Sequence, residues 1–292
     1  MTGRSPPLPS RVITTGASSN RLARARRSLA FWLPLARLTP GPGTKIRFWA
    51  VAVELTLRHK LGRPPRGARA VTLSSEGARV TFCIQDISEL HGIREVFVQG
   101  DYAIPAPHSP DVILDLGANI GAASVYFATR WPRAQIVAVE PDPDEYERLV
   151  RNTSPFGRVT ALHLAAAAED GQATLYRGDD TLTSSLLPQP DASTAIPVQA
   201  VSLDSLMDGA CGGHIDLLKF DIEGSEYTVL RSCERSAEIA MLVGELHEEM
   251  MGCSLDVFAG LFPGHRVEIE ALPNGEHTFR AWLKQIRNRP KR

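Results

Sequence analysis

Cysteine is scarce: Cys83, Cys211, Cys233 and Cys253 are scattered, and none stands in CxxC spacing. That argues against a cysteine metal cluster or a disulfide framework and for reduced thiols in a cytoplasmic chain. No stretch offers the ~18 uninterrupted apolar residues of a membrane span. The run Phe31–Leu35 follows basic residues as a signal-peptide core would, but Pro34 and Arg37 interrupt it. Net charge is also nearly missing, −1 over 292 residues, yet its distribution is uneven. Residues 1–70 hold fourteen of the 32 Lys and Arg residues and a single acid, Glu54, so the rest of the chain is strongly acidic. No nucleic-acid partner is expected.

This composition separates a basic extension, residues 1–69, from a domain at 70–286 and a short basic tail at 287–292. Met1–Asn20, rich in Ser, Thr, Pro and Arg, is expected to be disordered. Ile46–Leu61 predicts a helix with Ile46, Trp49, Val53 and Leu57 on one face. Two readings stand for this extension. It is a basic amphipathic arm for an anionic partner or a membrane surface, or it is a helical cap on the domain with a solvated basic face. Residues 1–60 are expected to be dispensable for cofactor binding but to matter for location or acceptor access, because the binding unit below is complete without them.

That unit begins with Val112–Leu116, an apolar run containing Asp115, followed by the turn Gly117-Ala-Asn-Ile-Gly121. A helix over Ala122–Ala128 ends at Arg130-Trp131-Pro132, and a second strand, Ala134–Val139, closes on Glu140. Strand, glycine loop, helix, strand and terminal acid are the parts of a nucleoside-binding βαβ unit. Glycine lets the backbone turn sharply and approach a ligand. Glu140 lies 23 positions after Gly117, near the ~20-residue offset of a ribose-binding acid, whose two oxygens can accept both ribose hydroxyls. The loop is not GxGxxG, and Asp115 would repel a pyrophosphate. A phosphate-free cationic nucleoside fits better, and S-adenosylmethionine is one. The candidate cofactor-binding residues are Asp115, Gly117, Asn119, Gly121 and Glu140; the alternative is a structural glycine turn with a capping Asp.

A second stretch carries chemistry. Ile215–Phe220 reads as a buried strand, yet it contains Lys219 and runs into Asp221, Glu223 and Glu226. Ligands bind beyond the carboxyl ends of strands in open α/β sheets. Lys219 and Asp221 alternate to one face, where the pair could position a hydroxyl and take its proton, or form a structural salt bridge. The strand Ile239–Leu246 brings Glu245 and His247 to one face. His247 is the natural general base, could join Asp221 in holding a divalent metal, or is a satisfied structural histidine. Elsewhere the pattern predicts a hairpin over Ala70–Ile84, a helix over Ile87–Gln99, and a helix opened by the cap Asp142-Pro143-Asp144-Glu145. Two strands, Ala173–Tyr176 and Thr194–Val201, stand where a crossover helix belongs, and a terminal hairpin turns at Pro273-Asn274-Gly275. Tyr102, before the glycine-loop strand, is either a lid or ordinary packing.

Together, VILDLGANIGAAS, VAVEPDPDEYERL, Thr183-Ser184-Ser185-Leu186, VSLDSL, IDLLKFDIEGSEYTVL and GELH resemble the FkbM-type S-adenosylmethionine-dependent methyltransferases, from about Ala70 to Leu283. The resemblance implies a doubly wound seven-stranded α/β sheet of class I methyltransferase type with a C-terminal antiparallel hairpin. It implies O-methylation of a hydroxyl on a sugar, polyketide or other small metabolite. The family's cofactor motif falls on Asp115, Gly117, Asn119, Gly121 and Glu140. Its active-site stretch falls on Lys219, Asp221, Glu223 and Gly224, with Glu245 and His247 beyond. Lys219, Asp221 and His247 are the catalytic candidates, Glu223 and Glu245 the acceptor-binding ones. The basic extension departs from the family, as does Gly244, where an aliphatic residue is expected. The alternatives are methylation of an amine or protein nitrogen, and a cofactor-binding scaffold without catalysis.

Overall fold

In chain order, a computed structural model of the protein describes residues 30–64, 67–106, 108–178, 184–188, 193–272 and 275–284. The segments Met1–Asn20 and Arg21–Arg27, part of the Thr183–Leu186 loop, the Pro273-Asn274 turn and the 287–292 tail lie outside them. Helix α1 (30–37) and helix α2 (Gly41–Lys60) precede a hairpin of β1 (Arg69–Ser75) and β2 (Ala78–Ile84). Glu76 and Gly77 both take positive φ at its turn, the geometry that matches strand twist in a two-residue connection. Asp86 caps α3 (Ile87–Arg94), which runs on into one wider turn, Glu95–Gln99. The nucleoside unit follows as β3 (Val112–Leu116), α4 (Ala122–Arg130) and β4 (Gln135–Val139). Asp142 then caps α5 (Pro143–Thr153), its carboxylate accepting from the Asp144 and Glu145 amides as the sequence predicts.

After β5 (Val159–Leu162), the expected crossover helix is replaced by a small separate sheet. It comprises β6 (Ala165–Ala167), β7 (Gly171–Arg177) and β8 (Thr194–Ser202), with β7 and β8 paired as the predicted hairpin. The remaining elements are α6 (Leu203–Asp208), β9 (Leu217–Phe220), α7 (Glu226–Ser232), β10 (Met241–Leu246), α8 (Glu248–Met251), α9 (Leu255–Ala259), β11 (His265–Ala271) and β12 (His277–Leu283).

The main sheet has seven strands in the order β11-β12-β10-β9-β3-β4-β5, with β12 antiparallel to both neighbours. The chain winds outward in both directions from β3 and β9, so their carboxyl ends open the crevice where doubly wound sheets hold ligands. All five positions of β3 and all four of β9 are buried, as central parallel strands require. Alternate residues divide between two cores: Ile113, Ile136 and Leu217 on one face, Leu114, Leu116, Leu218 and Phe220 on the other.

The first core is shared with the N-terminal region. Trp32, Leu35, Phe48, Val51, Ala52 and Leu55 pack with Val71, Phe82, Leu90 and Ile113. The inward face of α2 is Phe48, Val51, Ala52 and Leu55, whereas Ile46, Val53 and Leu57 point outward and Trp49 lies at the edge. Residues 30–60 also share the domain's core, so removing them would uncover apolar side chains in a cluster that reaches Ile136 in the central sheet. Helix α2 carries apolar residues on both sides, and only packing chooses between two such stripes. Among the described residues no helix is long and apolar enough to cross a membrane.

Candidate active site

The turn after β3 is held by contacts that sequence spacing cannot reveal. Gly117 has φ 69°, and a Cβ there would lie 1.8 Å from the Asp221 carbonyl oxygen. Glycine is thus what allows the β3 and β9 ends to touch. Gly121 (φ 89°) leaves no room either, a Cβ falling 2.9 Å from Leu149 Cδ1 of α5. Asn119 adopts φ 49°, a conformation asparagine tolerates. Its Oδ1 accepts from the Ile120 amide at 2.6 Å and its Nδ2 donates to Glu145 Oε2 at 2.9 Å.

Asp115 and Lys219 face each other in the β3–β9 pairing. Lys219 Nζ lies 3.1 Å from Asp115 Oδ1, forming an ion pair, and donates to the carbonyls of Leu116 (3.1 Å) and Gly117 (2.6 Å). Ser124 Oγ donates to Asp115 Oδ2 at 2.6 Å. The pair expected between Lys219 and Asp221 is therefore formed by Lys219 and Asp115 instead. Glu140 is also engaged: Oε2 accepts from the Asn119 amide (2.7 Å) and Oε1 from the Asp142 amide (2.8 Å). Each oxygen retains a lone pair for a further donor. Burial pushes its pKa up to about 7.

Beyond β9 and β10 the acids converge. Tyr102 Oη donates to Asp221 Oδ2 at 2.9 Å and lies 3.2 Å from Glu245 Oε1. Burial, then the charges of Asp221 and Glu245, raise the Tyr102 pKa, so it stays a donor. Arg280 fixes the segment bearing it through the carbonyls of Asp101 and Ala103. His247 Nδ1 is 2.8 Å from Glu226 Oε1, while Nε2 is 3.5 Å from Glu223 Oε2 and 4.0 Å from Asp221 Oδ1. Burial alone would lower the His247 pKa, but the Glu226 hydrogen bond and the charges of Glu223 and Asp221 push it up to about 10. Burial, then the charge of Asp221, push Glu223 up to about 8 and Glu245 up to about 9. Asp221, Glu223 and His247 each bring a ligand atom within 4.8 Å of the others, a set able to hold a divalent cation. Gly244 finds its reason here: a Cβ would fall 2.1 Å from the Phe220 carbonyl oxygen and 2.5 Å from its ring.

These groups line one cavity of about 620 Å³, which contains every site residue singled out in the sequence except Asp115, Gly121 and Gly224. It also contains Glu95, Asp101, Tyr102 and Glu276, which the sequence reading did not assign to the site. The motif Gly100-Asp101-Tyr102 was visible; nothing local marks Glu95 or Glu276.

A pH dependence follows. The folded carboxyls of Glu140, Glu223 and Glu245 hold protons to higher pH than an unfolded chain does. The stabilisation from His247 is complete below its unfolded value near 6.5 and is lost as pH rises through about 10. Both make the native state the more protonated one, so stability falls with rising pH. The melting temperature of ligand-free protein should decline steadily from pH 5 to 9; a rise over that range would contradict this electrostatic picture.

Residues 115–258, from within β3 to α9, match the methyltransferase FkbM domain family. The chain carries an FkbM methyltransferase domain. Its relatives include the hexuronic acid methyltransferase AglP of Haloferax volcanii, 23% identical over 59% of this chain and 72% of that protein. The 2-O-methyltransferase NoeI of Sinorhizobium fredii is 29% identical over 41% of this chain and 57% of its own length. The crystal structure of an FkbM methyltransferase from Methylobacillus flagellatus KT aligns with a TM-score of 0.46 at 14% identity, covering 89% of this chain and 60% of that one. Strand order, rather than that alignment, establishes the class I sheet around the FkbM domain. The protein is an enzyme, a methyltransferase.

Proposed function

We propose that the FkbM domain moves a methyl group from S-adenosylmethionine to a hydroxyl oxygen of a sugar-like small molecule. The observation that carries this reading is the cavity's acidity: nine acidic side chains, several holding protons until a cation draws them off, line it against Arg94, Lys219 and His247. Such walls suit a cationic nucleoside without phosphates and oppose a dinucleotide. Asp115 adds little to this, because Lys219 and Ser124 occupy its carboxylate. Glu140 would hold the ribose hydroxyls, and Gly117 and Asn119 would bring backbone against the ligand. Bound there, S-adenosylmethionine supplies an electrophilic methyl carbon on a sulfonium.

The protein's own part is alignment and proton removal. Asp221, held by Tyr102, takes the proton of the acceptor hydroxyl. Glu223 and Glu245 accept hydrogen bonds from its neighbours. Lys219 is a positioning residue, locking the glycine loop to β9. His247 is already protonated beside Glu226, so it donates and the role of base passes to Asp221. Relatives named for hexuronic acid and for 2-O-methylation support a sugar hydroxyl as the acceptor. The same acidic wall favours a second reading, an amine acceptor drawn in as its cation.

Incubation with methyl-labelled cofactor and a panel of uronic-acid glycosides and amino sugars, followed by mass spectrometry, separates the two. Label on a ring oxygen is expected, and label only on nitrogen would give the second reading. Failure to label any sugar, with cofactor binding intact by calorimetry, would remove the sugar class. Glu140→Ala should weaken cofactor binding about ten- to a hundredfold, the worth of a charged hydrogen bond, ~1.5–3 kcal/mol. Glu140→Gln, which keeps one acceptor for the loop amides, should lose less; equal affinity in all three proteins would place the ribose elsewhere.

A further inference from the structure

The outward side of α2 is more apolar than its packing role requires. Opposite the buried Phe48, Val51, Ala52 and Leu55, the side chains of Ile46, Val53, Leu57 and Leu61 are 72, 50, 54 and 62% exposed. Their spacing keeps them on one line along the helix, with exposed Ala50 among them and half-buried Trp49 beside them. Of the eight large exposed hydrophobics among the described residues, six fall within residues 31–61. Soluble surfaces usually scatter such groups singly, and an aligned set marks a contact.

The charge beside this line has one sign. Lys45, Arg47, Lys60 and Arg63 are exposed around it and Arg58 is half-buried. The only acid of the helix, Glu54, is paired with Arg69 at 2.6 Å. The body of the chain is acidic, so it would turn away from an anionic surface while this face turned toward it. A protein partner would account for the apolar line. An anionic bilayer accounts for the line and the basic rim together: apolar side chains enter the acyl boundary and Lys and Arg meet the headgroups. Trp49 sits at the border between the two, where indole rings favour the interface. No described helix can span a bilayer, so α2 would lie along it.

We propose that the outer face of α2 is a docking surface that lays the enzyme on an anionic membrane. The full chain should sediment with vesicles of phosphatidylglycerol and phosphatidylcholine, weakly with phosphatidylcholine alone, and less as salt is raised. The triple variant Ile46→Ser, Val53→Ser, Leu57→Ser should lose at least tenfold in vesicle partitioning. Its melting temperature and cofactor affinity should stay unchanged, since these side chains neither pack in the core nor line the cavity. Lys45→Glu with Arg47→Glu should lose similarly and show a flatter salt dependence. No binding by the full chain, or a serine variant that binds like wild type, would overturn the proposal. So would light scattering that shows a wild-type dimer and a serine-variant monomer, which would give this face to a second copy.

Discussion

Lys219→Met should lower the unfolding free energy by ~3–5 kcal/mol, because it leaves the Asp115 carboxylate buried without its cation. Both side chains are sealed from solvent, at 2% and 0% exposure. The substitution also frees the carbonyls of Leu116 and Gly117, which fix the turn between β3 and α4. Replacing both partners, Asp115→Leu with Lys219→Met, removes the uncompensated charge and should restore part of that loss. Urea unfolding at constant slope measures the difference. If Lys219→Met does not fold at all, Asp115→Asn, which keeps shape and an acceptor, offers a milder form of the same test. A single variant within 1 kcal/mol of wild type would mean that the pair does not hold the loop.

Asp221→Asn should leave cofactor binding intact and reduce turnover by ~10²–10⁴, the usual worth of a positioned acid or base. The amide still accepts the Tyr102 hydroxyl bond but can no longer take a proton. His247→Gln should cost less turnover, because the Glu226 hydrogen bond and the charges of Glu223 and Asp221 push the histidine's pKa up to about 10, which disfavours it as a base near neutral pH. The cluster of Asp221, Glu223 and His247 invites a direct comparison. If Asp221 acts as a base, a chelator leaves the rate unchanged; if it ligates a metal, the chelator abolishes turnover and added magnesium or manganese restores it. Wild-type rates in Asp221→Asn would return the stretch after β9 to a structural role.

Much of this enzyme was legible locally. The glycine turn, the cap at Asp142 and the terminal hairpin follow from backbone preferences that act over a few residues, and the structure reproduces them. The fold class was equally readable, since buried strands alternating with capped helices admit few arrangements. What failed did so for identifiable reasons. That Ile46, Val53 and Leu57 share a face of α2 was readable, but not which of its two equally periodic stripes would pack. Lys219 was paired in expectation with its neighbour in sequence, Asp221, and in space with Asp115.

The sequence by itself determined the elements, the βαβ unit and the residue types at the ends of β3, β4, β9 and β10, because these depend on short-range sterics and on apolar periodicity. Tertiary structure alone decided which charges meet. Placing β9 beside β3 joins Asp115 to Lys219 across 104 positions of chain, and it brings Tyr102 to Asp221 across 119. Burial in that crevice then pushes the Glu223 and Glu245 pKa values up, while the acids around His247 outweigh its burial and push its pKa up. Those shifts depend on distance and desolvation, which exist only once the sheet has closed around them.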